Sequence, residues 1–176
     1  DSLSGDPRLE FTAPSDGRYF LQLRDLGDRG GPDCIYRATI TRRAPGFGLV
    51  TWYDNPSIKG PGGSAIVMVM LRRWGGFSGP IKLRVQGLPR GYVASEAYIP
   101  RIGPSTNVQS TVLTVTAPPD AKAGDLAPFK IEGEAEIEGK LTRVQCEPRA
   151  HLGQNSDHSI FRSTESCIAC VVPADQ

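Results

Sequence analysis

Apolar and polar residues alternate along this chain in short bursts, and each burst ends in glycine or proline. The period is two, so the segments read as β-strands, and no stretch keeps apolar residues at helical spacing over a useful length. Before residue 45 the pattern predicts three strands. Arg8 to Thr12 sets Leu9 and Phe11 on one face; Tyr19 to Arg24 sets Tyr19, Leu21 and Leu23 against Phe20, Gln22 and Arg24; Ile35 to Thr41 follows. The segment Ala13-Pro14-Ser15-Asp16-Gly17 makes the first turn, with a glycine free to take positive φ.

From Phe47 onward the same spacing predicts strands at Leu49 to Tyr53, Ala65 to Leu71, Ile81 to Val85, Tyr92 to Ala97, Ser110 to Ala117, Phe129 to Ile137 and Leu141 to Cys146. Leu113 and Val115 are expected to point inward. Seven or so short strands in about 100 residues match an immunoglobulin-like antiparallel sandwich better than a barrel. The punctuation at Ala44-Pro45-Gly46 divides the chain into a β unit at 1–45, a sandwich at 46–147 and a tail at 148–176. In the tail a loop precedes an apolar run, Ile168 to Val172, expected to join the preceding sheet. A unit of roughly 45 residues is near the lower limit for an independent core, and a three-stranded sheet leaves one face bare. It is expected either to take strands from before Asp1 or to pack on the sandwich.

Composition narrows the class. Twenty Gly and 15 Pro in 176 residues suit turns and short strands. With 39% hydrophobic residues, 22% charged residues and a formal net charge of +1, the chain is neither a disordered polyelectrolyte nor a protein with a domain-wide basic field, so nucleic acid is not an expected partner. No run approaches the ~18 apolar residues of a membrane span. The first residue is Asp1 and not Met, so the chain reads as a processed product or an excised piece.

Two stretches resemble known families. Asp6-Pro7-Arg8-Leu9-Glu10-Phe11-Thr12-Ala13-Pro14, Asp16-Gly17-Arg18-Tyr19, Gly30-Gly31-Pro32-Asp33 and Tyr36-Arg37 together resemble the second half of a bacterial pre-peptidase C-terminal domain. That resemblance implies a partial jelly-roll-like sheet ahead of the sandwich. Gly79-Pro80-Ile81, Gly87-Leu88-Pro89-Arg90-Gly91-Tyr92-Val93 and Ala117-Pro118-Pro119-Asp120-Ala121-Lys122-Ala123-Gly124 resemble a bacterial immunoglobulin-like repeat, with Tyr92 where that class often has Val. Modules in this order resemble large exported bacterial proteins, which implies an extracellular, cell-surface or periplasmic location. The implied role is that of a spacer or adhesive surface, with other domains of the same polypeptide, an extracellular protein or a glycan as partners.

Candidate chemistry is sparse. Gly76-Phe77-Ser78-Gly79-Pro80 resembles the nucleophile segment of chymotrypsin-like proteases but lacks the preceding Asp, and the two histidines, His151 and His158, lie far along in the tail. The segment therefore reads as a turn, and the chain as no enzyme. Asp25, Asp28 and Asp33 sit among Gly27, Gly30 and Gly31, a loop that can hold calcium, although Asp and Gly are also ordinary turn residues, and no cofactor is expected. Cys167-Ile168-Ala169-Cys170, with Cys146, His151 and His158, has enough ligands for zinc by count. In a strand, however, positions three apart face opposite sides, so structural or paired cysteines are expected instead. Export favours pairing of Cys146 with Cys167 or Cys170, leaving Cys34 free or buried. Glu132, Glu134, Glu136 and Glu138 line one outward face by spacing, and Lys82, Arg84, Arg72 and Arg73 another. Ligand contact is expected at Arg72, Arg73, Trp74 and Phe77, because connecting loops vary freely while aromatic and Arg side chains contribute most of the binding energy. The reading is a non-catalytic module of an exported protein; the alternative is an accessory domain of a secreted peptidase or other hydrolase whose catalytic domain lies elsewhere.

Overall fold

The computed structural model describes residues 9, 11–25, 27, 30–42, 44–101, 109–155 and 158–174, with the backbone alone at 109, 150–155 and 158–162. The chain divides into two units, Asp1–Thr41 and Arg42–Gln176. In the first, the strands expected at Arg8 to Thr12, Tyr19 to Arg24 and Ile35 to Thr41 do not form among the described residues, and those residues are exposed throughout. Phe20 and Ile35 keep about nine-tenths of their surface in water, at 89% and 91%. Fixing a residue's backbone costs roughly 1–2 kcal/mol, and a single apolar face with no layer to cover it returns too little burial to offset that. Local contacts remain: the rings of Phe11 and Tyr19 meet edge-on at 5.1 Å, and the Tyr19 hydroxyl donates to the Ser15 carbonyl at 2.5 Å.

The second unit is an immunoglobulin-like β-sandwich. Its strands are β1 (Gly46–Thr51), β2 (Ser57–Lys59), β3 (Ser64–Trp74), β4 (Ile81–Gln86), β5 (Val93–Ala94), β6 (Ala97–Ile99), β7 (Gln109–Thr116), β8 (Leu126–Ile137), β9 (Lys140–Gln145), β10 (Arg149–Asn155), β11 (His158–Ser163) and β12 (Cys167–Val172). One sheet runs β1-β3-β7-β5 and the other β2-β12-β8-β4-β6, with β9 also on β8 and a separate β10-β11 hairpin. All pairs are antiparallel except β2 with β12. The segment read as one strand at Tyr92 to Ala97 is two: β5 pairs with β7, and β6 with β4, so the chain changes sheet across Ser95 and Glu96. Strand β2 is three residues between Pro56 and Gly60, too short to show an alternation. The stretch read as a loop ahead of the last strand carries the β10-β11 hairpin.

The core lies between the two sheets. Phe47 and Leu49 of β1, Val67, Val69 and Leu71 of β3, and Leu113 and Val115 of β7 meet Ile81 and Leu83 of β4, Phe129 and Ile131 of β8, and Ala169 and Val171 of β12. After β9 the chain crosses to the other sheet: the Thr51 N–H donates to the Glu147 carbonyl at 3.1 Å, and the Glu147 N–H to the Leu49 carbonyl at 2.9 Å. The layers are tightly packed at Gly133 of β8, where a Cβ would overlap Leu49 Cδ1 and stand 3.1 Å from the Phe47 ring and 3.2 Å from Leu83. Gly133→Ala is therefore expected to destabilise the sandwich by about 1–3 kcal/mol through overpacking, read as a fall in the urea midpoint at unchanged m-value.

Candidate functional site

The outward positions of β3 differ from those of an ordinary half-buried strand. Its inward residues Ala65, Val67, Val69 and Leu71 are buried, yet its outward residues Ile66, Met68 and Met70 are apolar as well. Register extends this patch across the sheet. Met68 stands opposite Val112 of β7 on one side, and on the other its carbonyl accepts the Trp52 N–H at 3.1 Å. Trp52, Met68 and Val112 thus form one cross-strand row, flanked by Val50, Met70 and Ser110 on one side and Ile66 and Thr114 on the other. Ile66 is 67% exposed and Met68 44%. The Trp52 and Tyr53 rings meet edge-on at 6.3 Å. Sequence reasoning did not single out this face; its signal was the run Ile66-Val67-Met68-Val69-Met70, apolar on both alternating sets.

The four residues expected to contact a ligand take different places. Trp74 ends β3 on the same outer face, half-buried, and its indole lies over the side-chain-free positions Gly46 and Gly48 of β1, where a Cβ on Gly48 would come within 3.1 Å of the ring. Arg72 also projects outward, opposite Gly48. Phe77 turns inward and packs on Phe47 with ring centroids 5.8 Å apart. Arg73 lies over the Phe77 ring at 5.7 Å, and its Nη2 donates to the carbonyls of Gly79 at 2.7 Å and Pro100 at 3.1 Å. Burial of this guanidinium lowers its pKa, and its Nε and Nη1 are shut off from solvent without hydrogen-bond partners. Arg73 and Phe77 therefore act as ties that hold the β3–β4 loop to the sandwich, and the loop does not present all four side chains to one ligand. Ser78 is exposed on that loop, while the side chains of His151 and His158 lie outside the described residues.

On the opposite sheet the charges expected on separate faces interleave on one. Lys82 and Arg84 of β4 stand opposite Glu134 and Glu132 of β8, which in turn stand opposite Arg143 and Gln145 of β9. Arg143 Nε is 3.0 Å from Glu134 and 3.8 Å from Glu132, Gln145 donates to Glu132 at 2.9 Å, and Lys82 reaches Glu96 at 2.7 Å. The hydrogen bond from Lys82 holds the Glu96 carboxyl below its ordinary pKa. Alternating signs on neighbouring strands cancel, so this face presents no strong field to a ligand.

Of the three aspartates considered for calcium, Asp25 accepts the Gly27 N–H at 2.9 Å in a local turn, Asp33 sits in the turn closed by the Cys34 N–H on the Gly31 carbonyl, and Asp28 lies outside the described residues. Among the described residues no three His, Cys, Asp or Glu side chains come together as metal ligands. All four cysteines are thiols, with Cys34 exposed, Cys170 half-buried, and Cys146 and Cys167 buried. Around Cys167 the Thr51 hydroxyl bonds to its sulfur while accepting the Arg149 N–H at 2.9 Å, and Asp54 accepts the Thr164 hydroxyl at 2.9 Å. Burial pushes Cys167 up to about 12 and Cys146 higher still, with Asp54 raising the former, and Cys167 and Glu147 raising the latter against a smaller opposing effect of Arg149.

No protein-family model and no curated protein sequence matches the chain. Among solved structures it is similar to the ASH / PapD-like domain of human CEP192 (PapD-like domain 7), with 9% sequence identity and a TM-score of 0.36, over 71% of this chain and 100% of that one. A likeness at that score carries no inference, and the description as immunoglobulin-like rests on the strand order.

The two buried thiols have a consequence for alkaline stability. Above the ordinary thiol value of 9.0 the unfolded chain releases protons that the folded chain retains until about pH 12, so folding stability falls as pH rises through that window. Urea midpoints of the reduced protein are expected to decline across it. The Cys146→Ala/Cys167→Ala double variant should keep only the smaller decline due to other groups such as Tyr92, whose pKa burial also raises.

Proposed function

We propose that this chain is a non-catalytic β-sandwich module of a larger exported protein, a spacer that docks another domain of the same polypeptide through the outer face of the β1-β3-β7-β5 sheet. The row of exposed Met68 and Val112 with half-buried Trp52 carries this reading. Contiguous exposed apolar surface marks an interaction site, and methionine adapts its shape to a protein partner. From Val50 to Thr116 the outward positions of β1, β3 and β7 opposite one another are apolar or hydroxyl-bearing, which suits an uncharged polypeptide surface. The charged side chains of the other sheet, by contrast, are engaged with each other, and Arg73 is engaged with loop carbonyls.

The docked domain is either a further spacer or the catalytic domain of a secreted peptidase or other hydrolase. The first unit, through its resemblance to a pre-peptidase C-terminal domain, is read as a set of strands that orders when partner strands cover it.

Neighbouring domains of the parent polypeptide, expressed separately and titrated into the chain, are expected to bind it and shift its tryptophan emission to the blue. Met68→Glu should abolish that binding while leaving the melting midpoint in place, since Met68 faces outward. Binding that survives Met68→Glu, or no binding by any neighbouring domain, rejects the docking role. Hydrolytic turnover lost on Ser78→Ala rejects the non-catalytic reading.

A further inference from the structure

Strand β8 brings two distant cysteines together. Along one of its edges β12 pairs first, with Cys167 opposite Phe129, and β9 pairs further on. Cys146, the residue after β9, continues that ladder by donating its N–H to the Ile131 carbonyl at 2.7 Å. Cys146 and Cys167 therefore flank the same edge at positions two residues apart on β8. At the rise of a strand, two residues span about 6.8 Å, the upper end of the ~4.4–6.8 Å between Cα atoms that a disulfide bridges, so the bond also requires the ends of β9 and β12 to draw together until the two Cβ atoms stand about 3.8 Å apart. Phe129 and Ile131 both face the core, and both thiols are buried with them, at 6% exposure for Cys146 and 1% for Cys167. Cys170 lies three residues further along β12 with its side chain turned to the opposite face, where it is half-buried, opposite Leu126. A bond from Cys146 to Cys170 would have to pass through the sheet.

We propose that Cys146 and Cys167 form a disulfide that staples the end of β9 to the start of β12 and closes the base of the β10-β11 hairpin. The hairpin lies between them in sequence, and its base is already drawn together by the Thr164 N–H on the Pro148 carbonyl at 3.0 Å and by the Ser163 hydroxyl on the Glu147 carboxylate. The bond encloses a loop of about 20 residues, so it removes chain entropy chiefly from the unfolded state. Two Sγ–H bonds break and one Sγ–Sγ bond forms; two electrons and two protons pass to a low-molecular-weight disulfide such as oxidised glutathione, which leaves as two thiols. Exchange requires a thiolate and access to the sulfur, and burial removes both, so the bond forms before the core closes and afterwards resists reduction.

The test uses the whole chain, refolded in a glutathione redox buffer, unfolded, alkylated without reduction and digested with trypsin, which cuts at Arg149 and Arg162 between the two cysteines. The expected result is one cross-linked peptide pair with Cys34 alkylated; Cys167 and Cys170 share a tryptic peptide, so fragmentation between them is used to place the link, expected at Cys167 with Cys170 alkylated. Four alkylated cysteines, or Cys146 joined to Cys170, overturns the proposal. No variant is needed, so folding of a mutant does not enter. Chain refolded in the presence of reductant is then expected to melt roughly 10 °C below the oxidised chain. A linked pair whose absence leaves the midpoint unmoved overturns the staple. Neither readout depends on the docking role proposed above.

Discussion

The second sheet depends on one strand holding three others in register. β8 is twelve residues long and pairs with β4 on one edge, while its other edge is divided between β12 and β9. That division sets several features at once. It places Cys146 and Cys167 two positions apart at the junction, aligns Glu132 and Glu134 between the cations of β4 and β9, and presents Gly133 to Leu49 and Phe47 of β1. Because side chains alternate faces strictly along a strand, a slip of one residue in β8 would turn its charged row inward and expose Phe129 and Ile131.

The two outer faces differ in how far they satisfy themselves. On the β4-β8-β9 face, opposite charges meet across strands, and their attraction is local and screened by solvent. On the β1-β3-β7 face the outward side chains Ile66, Met68 and Val112 are apolar and exposed, and their contact with water is unfavourable. The exposed apolar surface therefore lies on a sheet face and not on the β3–β4 loop. The loop that looked suited to a ligand spends Arg73 and Phe77 on its own attachment to the core, and between them Gly75 and Gly76, both at positive φ, turn the chain, with Gly75 close against Ala44.

The tail is the third element of the arrangement. Thr51 and Asp54, in and just after β1, supply the hydroxyl and carboxylate that bind Arg149, Cys167 and Thr164, while the Asp54 carbonyl accepts the Ile168 N–H at 2.7 Å. The strand that completes the second sheet is thus oriented by the beginning of the first. Such contacts join residues about a hundred positions apart, so ordering them requires closing a long loop.

Local pattern alone determined the class of this protein. Period-two alternation at Ala65 to Leu71, Ile81 to Val85, Ser110 to Ala117 and Phe129 to Ile137 specifies strands and which residues of each face inward, because the geometry of an extended chain leaves no other way to bury those side chains together. It also specified strands before residue 45 that the described residues do not form, since alternation records that a segment can make a strand and not that a partner is present to pair with it. What only the tertiary structure decided is who lies beside whom. The row of Trp52, Met68 and Val112, the interleaving of Glu132 and Glu134 with Lys82, Arg84 and Arg143, and the choice of Cys167 over Cys170 beside Cys146 all follow from inter-strand register. Register is set by the summed burial of both sheets and by the lengths of the turns between strands, quantities that belong to the whole fold and are carried by no single segment.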